Sequence, residues 1–253
     1  MLSEVARVTL GIASLAEELK RAGRDRREPK RREKLVLEER IRRLLLKRFR
    51  RQRGKVEAYL QMMPQMKDYV LPNDLFDDEE NGELIRLMLK GAAGGIEQFA
   101  ETVTIGYDWS QVNMSAAEWA AAAVGELITA IDEVTRKAIQ KAIELFITTP
   151  GMTIGDVMGA MPFGEERART VAVTEITRAY AQGQLMAGEE LRKAYPDVKV
   201  TKVWNTNADD FVCDICGPLD GEEVGIDEEF EGGISEPPAH VNCRCWMQTR
   251  TRI

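Results

Sequence analysis

The chain has 253 residues, and its 35 Lys and Arg against 42 Asp and Glu give a formal net charge of −7. This length allows one large or two small domains, and 44% hydrophobic residues are enough for at least one core. No membrane span is expected, because the longest uncharged stretch, residues 145–155, is far shorter than the ~20 residues a spanning helix needs. Charged residues also interrupt residues 1–20, so no secretory signal is expected and synthesis in the cytosol is predicted.

The charge is distributed unevenly along the chain. Residues 20–55 contain eighteen Lys and Arg but five Asp and Glu, which is +13, and the remaining residues carry −20. Within this basic segment, apolar residues recur at helical spacing at Leu37, Ile41, Leu44, Leu45 and Phe49, so residues 30–53 are predicted to form a basic amphipathic helix. A further helix is predicted over residues 2–20. Together they define a basic helical arm, residues 1–56.

Several partners fit a basic helix of this kind. It can lie on a phosphate backbone, on an anionic membrane surface or on an acidic protein, or its apolar stripe can pack within the chain and leave the charges in water. No base-reading motif is present, so any contact with DNA is expected to be independent of sequence. The candidate contact residues are the basic ones: Arg31, Arg32, Arg40, Arg42, Arg43, Lys47, Arg48, Arg50 and Arg51.

Residues 57–112 are predicted as a helical segment with an acidic linker. The helix of the arm is expected to continue to Pro64, and the acidic run over residues 74–83 marks a break. A second helix is predicted over residues 84–99, where three glycines at positions 91, 94 and 95 suit either close helix packing or a flexible joint. Residues 105–112 are predicted to form a loop.

Three more helices are predicted, two of them from capping signals. Ser115 and Glu118 form a capping-box pattern that predicts a helix from residue 116 to about residue 146. Thr153, followed three residues later by Asp156, predicts a short helix before Pro162. A third helix is predicted over residues 165–193, with Glu175 and Arg178 spaced to form an ion pair.

After residue 197 the pattern changes to that of short strands and turns. Strands are predicted over residues 198–204, 221–226 and 244–249, among frequent glycines and prolines. The fold class is therefore predicted as α+β: mainly helical, with a small β-containing module over residues 198–249 at the C-terminal end.

The four cysteines and the single histidine lie in two short clusters of this module. Cys213 and Cys216 form a C-x-x-C pair, and His240, Cys243 and Cys245 follow after a gap. Four such ligands suit a tetrahedral structural Zn²⁺. Reduced thiols or disulfides are alternatives, and a redox role is disfavoured because no βαβ pattern surrounds the C-x-x-C pair. Cys213, Cys216 and Cys243 are the strongest candidates. No nucleotide-binding loop or hydrolase motif is present, so the protein is predicted not to be an enzyme.

Three motifs in this half of the chain resemble those of phage Mu F-like minor head proteins. The segment from Thr174 to Gly183 resembles the A-R-T-E-x-x-x-A-x-x-x-G helix of that family, although Val173 replaces its usual arginine. The segment from Trp204 to Gly221 resembles the next signature of that family, and residues 237–245 resemble its closing P-P-x-H-x-N-C-R-C motif. The resemblance covers roughly residues 119–248, and residues 113–253 are accordingly predicted to form a Mu F-like domain with helices over 115–193.

The resemblance implies a structural minor head protein of a tailed phage. Such a protein associates with the portal or procapsid, assists head assembly, genome packaging or delivery, and resides in the virion after assembly in the host cytoplasm. The basic arm would then meet DNA or the portal. The alternatives are a zinc-ribbon-like nucleic-acid-binding protein acting in the host cell and a protein anchored at a membrane surface. The first is disfavoured because the segment between the two cysteine clusters is rich in acidic residues, which would repel phosphate.

Overall fold

The computed structural model describes residues 28–62, 72, 75–76, 81–104, 106–149, 151–207, 209 and 211–252. The elements, in chain order, are helices α1 (Arg31–Met62), α2 (Gly82–Ala100), α3 (Ser110–Thr148), α4 (Ile154–Gly159) and α5 (Glu165–Ala194), then strands β1 (Lys199–Asn205), β2 (Glu223–Gly225) and β3 (Trp246–Arg252). The predicted α+β class, mainly helical with a small C-terminal sheet, is confirmed. The helix predicted over residues 2–20 and part of the acidic run lie outside the described residues.

Helices α2 and α5 pack backbone against backbone through glycines on both helices. A Cβ added at Gly95 would overlap the carbonyl oxygen of Tyr180, and one added at Gly183 would overlap the carbonyl oxygen of Ala92. A Cβ at Gly94 would lie 2.7 Å from the Tyr180 ring. The glycines that the sequence marked in α2 therefore serve close helix packing.

The apolar stripe of α1 is buried in a core that it shares with α2, α3 and α5. Leu37, Ile41, Leu45 and Phe49 are all less than 9% exposed and pack with residues of these three helices. The last turns of α1 contribute to a second core with the end of α3 and with α4. The basic helix is thus packed against the region that carries the family motifs.

The start of α3 differs from the prediction. The helix begins at Ser110, so the capping box predicted at Ser115 is wrong. The loop predicted over residues 105–112 is also wrong for residues 110–112, which are helical. Ser115 lies inside the helix and its hydroxyl donates to the carbonyl of Gln111 at 3.3 Å. Tertiary packing starts the helix earlier, because Trp109 contacts the ring of Phe99 edge-on at 5.7 Å and Val112 is fully buried.

The helix cap predicted at Thr153 is confirmed, and in the structure it forms a capping box. The backbone N–H of Asp156 donates to the Thr153 hydroxyl at 3.2 Å, and the backbone N–H of Thr153 donates to the Asp156 carboxylate at 2.8 Å. Helix α5 also agrees with its prediction, and Arg178 donates to the buried Glu175 at 3.1 Å.

Helix α3 is long and apolar enough to cross a membrane by length and composition alone, with a mean hydropathy of 1.2 over 18 residues. In the folded chain, 39% of that window is buried inside the protein. Because core helices of globular proteins meet the same criterion, this one helix does not show a membrane span.

The sheet has the order β2-β1-β3, and both neighbours of β1 run antiparallel to it. Its inner face packs on α2 and α5 through Val198, Val200 and Met247. Near the end of β1, Trp204 is fully buried and contacts the Phe230 ring edge-on at 5.3 Å, in a small core that includes Cys216, Cys243 and Cys245. The cysteines therefore lie inside the packed module.

Substitution of Gly95 or Gly183 by Ala is expected to lower the free energy of unfolding by about 3 kcal/mol or more, because the new Cβ forces α2 and α5 apart. Gly125→Ala is the matched control. Its site in α3 is open, so better helix propensity should raise stability by ~0.5–1 kcal/mol. Urea unfolding of the three variants measures both effects. Wild-type stability in Gly95→Ala would contradict the backbone contact.

Candidate functional site

Strand pairing brings the two cysteine clusters to one end of the sheet. Asn205, the last residue of β1, pairs with Trp246, the first residue of β3. The loop that follows β1 carries Cys213 and Cys216, and the loop that precedes β3 carries His240, Cys243 and Cys245. Because β1 and β3 are antiparallel neighbours, the two loops meet.

All five predicted metal ligands come together there. The Sγ atoms of Cys213 and Cys216 lie 3.1 and 3.3 Å from Nε2 of His240. The Sγ atom of Cys216 also lies 3.8 Å from that of Cys243. The donors form two groups of three, and within each group the donor atoms lie within 4.8 Å of one another. One group is Cys213, Cys216 and His240, and the other is Cys216, Cys243 and Cys245. Cys216 belongs to both groups and is the centre of the cluster.

The imidazole of His240 is oriented for metal binding. Its Nδ1 lies 2.9 Å from the carbonyl oxygen of Val241, to which it donates a hydrogen bond. With Nδ1 protonated, Nε2 presents its lone pair to the sulfur atoms of Cys213 and Cys216. A hydrogen bond from the non-ligating nitrogen is the usual means by which proteins fix a metal-binding histidine.

The pKa values of the four clustered thiols differ, and burial raises that of Cys216 to about 12. The Cys245 thiol donates to Cys243, and this bond lowers the pKa of Cys243 to about 5. The same bond and burial raise the pKa of Cys245. All four cysteines are free thiols. Soft sulfur donors with one imidazole nitrogen can hold a metal ion.

An ion pair that the sequence reasoning missed joins the two loops. Asp209 accepts a hydrogen bond from Arg244 at 2.9 Å. The guanidinium of Arg244 also lies 5.3 Å from the centre of the Phe211 ring. Arg244 stands between Cys243 and Cys245, so this contact helps to hold the second cluster against the first.

Six of the nine predicted contact residues share one face of α1, opposite its buried stripe. They are Arg32, Arg40, Arg43, Lys47, Arg50 and Arg51, all exposed and here called the basic face. Arg40 pairs with Glu83 at 2.9 Å and Arg43 pairs with Glu39 at 2.6 Å. Outside this face, Arg31 is exposed, and the half-buried Arg42 pairs with Glu39 and Glu165.

Arg48 does not lie on a contact surface. It is 5% exposed, and its guanidinium donates to both carboxylate oxygens of Asp132 on α3, at 2.9 and 3.1 Å. Gln52 donates to the same carboxylate at 2.7 Å. The role predicted for Arg48 is therefore corrected: its charge stabilises the packing of α1 on α3.

Comparison with known proteins finds one similarity, in the C-terminal half. Residues 125–248 match the family model described as Phage Mu protein F like protein. This range includes α5, β1, β2 and all five cysteine and histidine residues. The match confirms the resemblance carried by the sequence motifs, and the family suggests a phage head morphogenesis protein. No curated protein and no solved structure matches the chain.

Asp132→Ala is expected to destabilise the fold by about 3 kcal/mol, because the buried Arg48 guanidinium loses the carboxylate to which its Nη2 donates. Glu133→Ala removes the neighbouring, exposed carboxylate and should change stability by less than about 0.5 kcal/mol. Chemical denaturation compares the two variants. Equal stabilities would show that the ion pair contributes nothing to the packing of α1 on α3.

Cys216→Ser is expected to abolish stoichiometric zinc binding, because Cys216 is shared by both donor groups. Asp214→Asn, which removes an exposed carboxylate between Cys213 and Cys216, should bind zinc as the wild type does. Metal analysis of the purified proteins, with thermal melting before and after chelation, measures the difference. Wild-type protein without bound metal, and with the same melting temperature after chelation, would refute the metal centre.

Proposed function

We propose that this chain, whose residues 125–248 match the phage Mu protein F like family, is a structural minor head protein of a tailed phage. It would associate with the portal or procapsid and assist head assembly, genome packaging or delivery. The observation that carries the proposal is the family match over the region that holds α5 and the Cys/His module. The family is structural rather than enzymatic, which agrees with a role in the virion.

The metal centre has a structural role in this proposal. Zinc bound by four of Cys213, Cys216, His240, Cys243 and Cys245 would cross-link the loop after β1 to the loop before β3. Among the described residues, the module has a sheet of only three strands and a small core around Trp204. A cross-link between its two long loops would therefore add stability to that of the core. A protein in a particle outside the cell requires such stability.

The basic face of α1 is the proposed contact with DNA or with the inner surface of the portal. The apolar side of α1 is occupied by the core, so the surface it offers is the charged side. The face consists of Arg32, Arg40, Arg43, Lys47, Arg50 and Arg51, and Arg31 lies near its start. Because the sequence of this helix has no base-reading motif, the contact would be electrostatic and weakened by salt.

The alternative, a nucleic-acid-binding protein that uses the cysteine module, has less support. The segment between the two clusters is rich in carboxylates, which would repel phosphate: Asp220, Glu222, Glu223, Asp227, Glu228, Glu229 and Glu231. Glu223 pairs with Arg250 at 2.7 Å, so it also neutralises a basic residue of β3. The positive surface lies on α1 instead.

The direct test is to locate the chain during phage assembly. Quantitative mass spectrometry of purified procapsids and virions from infected cells is expected to find it in at least one of the two particles, in fewer copies than the major capsid protein. Its absence from both particles would overturn the proposal. Portal or capsid partners can be identified in the same particles by chemical cross-linking.

The basic face has a separate test. The double variant Lys47→Glu, Arg50→Glu is expected to bind duplex DNA more weakly, with a salt slope reduced by about 0.9 for each lost phosphate contact. The control Lys137→Glu, Lys141→Glu makes the same change in net charge on an exposed side of α3. Titrations of the full chain at several salt concentrations measure both slopes. Equal slopes in wild type and Lys47→Glu, Arg50→Glu would contradict the DNA contact.

A further inference from the structure

A buried hydroxyl on α5 accepts a hydrogen bond from the loop that carries His240 and Cys243. The backbone N–H of Asn242 donates to Oγ1 of Thr174 at 2.8 Å. Thr174 is 6% exposed, and its own hydroxyl donates to the carbonyl of Thr170 at 2.8 Å. The oxygen is therefore fixed by the helix and available as an acceptor for the loop.

The position of Asn242 makes this bond important for the ligands. Asn242 adopts a left-handed backbone conformation with φ of 62°, which asparagine tolerates better than most residues. It lies between His240 and Cys243, and the Cys243 N–H closes a turn by donating to the His240 carbonyl at 3.1 Å. The left-handed residue sets the direction of the chain within this turn. The bond to Thr174 fixes that residue against α5.

We propose that Thr174 is a positioning residue for the metal centre. By accepting the Asn242 N–H it holds the His240–Cys243 turn in the conformation that directs Nε2 of His240 and Sγ of Cys243 toward the Cys213–Cys216 pair. The proposal rests on the proposed metal centre and adds a residue of α5 to it. Binding of the metal and docking of this loop on α5 are then one coupled event.

Other hydrogen bonds between α5 and the module lie farther from the turn formed by residues 240–243. Gln184 donates to the carbonyl of Met247 at 3.0 Å and accepts from the Thr249 hydroxyl at 3.3 Å, which fixes β3. Gln182 donates to Glu236 at 2.5 Å. These bonds hold the module on the helix. The bond from Asn242 instead anchors a residue inside the turn that His240 and Cys243 close.

Helix α5 also supplies a matched control. Thr177 lies one helical turn after Thr174 and is 2% exposed, but its hydroxyl makes no hydrogen bond within the part of the chain described. Thr174→Val and Thr177→Val are therefore the same chemical change at two buried sites of one helix. Only the first removes an acceptor that the ligand loop uses.

The experiment measures zinc affinity by competition with a chromophoric chelator, using full-length wild type and the variants Thr174→Val, Thr174→Ser and Thr177→Val. Thr174→Val is expected to lose about tenfold to a hundredfold in affinity, the usual effect of removing a group that orients a ligand. Thr174→Ser, which keeps the hydroxyl, and Thr177→Val are expected to keep the wild-type affinity. The gain in melting temperature on zinc binding should shrink in Thr174→Val alone.

A second pair of variants tests the turn if Thr174→Val fails to fold. Asn242→Gly permits the left-handed conformation and should keep the affinity, whereas Asn242→Val opposes it and should reduce it. Equal zinc affinity in wild type and Thr174→Val, or in Asn242→Gly and Asn242→Val, would overturn the positioning role. Wild-type protein that binds no zinc would instead refute the metal centre itself, so the two failures are distinguishable.

Discussion

The close contact of α2 with α5 is the constraint on which the rest of the structure depends. Glycines at positions 95 and 183 let each helix approach the backbone of the other, at Tyr180 and Ala92. This approach surrounds α5, and sixteen of its thirty residues are buried. α1 and α3 then close one side of α5, and the sheet closes another. A helix so enclosed is a rigid support for the side chains at its surface.

The Cys/His module depends on that support. Its sheet lies against α2 and α5, and polar side chains of α5 fix β3 and the ligand loop at separate points. The pairing of β1 with β3 brings the two donor clusters to one end of the sheet. The family motif in α5 and the cysteine motifs are therefore parts of one structure, although they are separated by tens of residues in sequence.

Features that depend on local periodicity or on donor chemistry could be predicted from the sequence. The stripe of α1, the capping box at Thr153 and the cluster of five metal donors are of this kind. Features set by distant partners were missed. The start of α3 depends on the contact of Trp109 with Phe99, and the burial of Arg48 depends on Asp132, 84 residues away. A run of basic residues does not show which of its charges has an internal partner.

The burial of one side of α1 has a consequence for the geometry of its charges. Because the apolar side of α1 is packed in the core, the basic face is a row of positive charges whose spacing is fixed. From Arg32 to Arg51 it extends about 28 Å at ~1.5 Å per residue. A straight duplex lying along it would present roughly eight base pairs, at ~3.4 Å each. A polyanion bound to this face would therefore meet charges of fixed spacing, whereas a flexible tail would adapt its spacing to the polyanion.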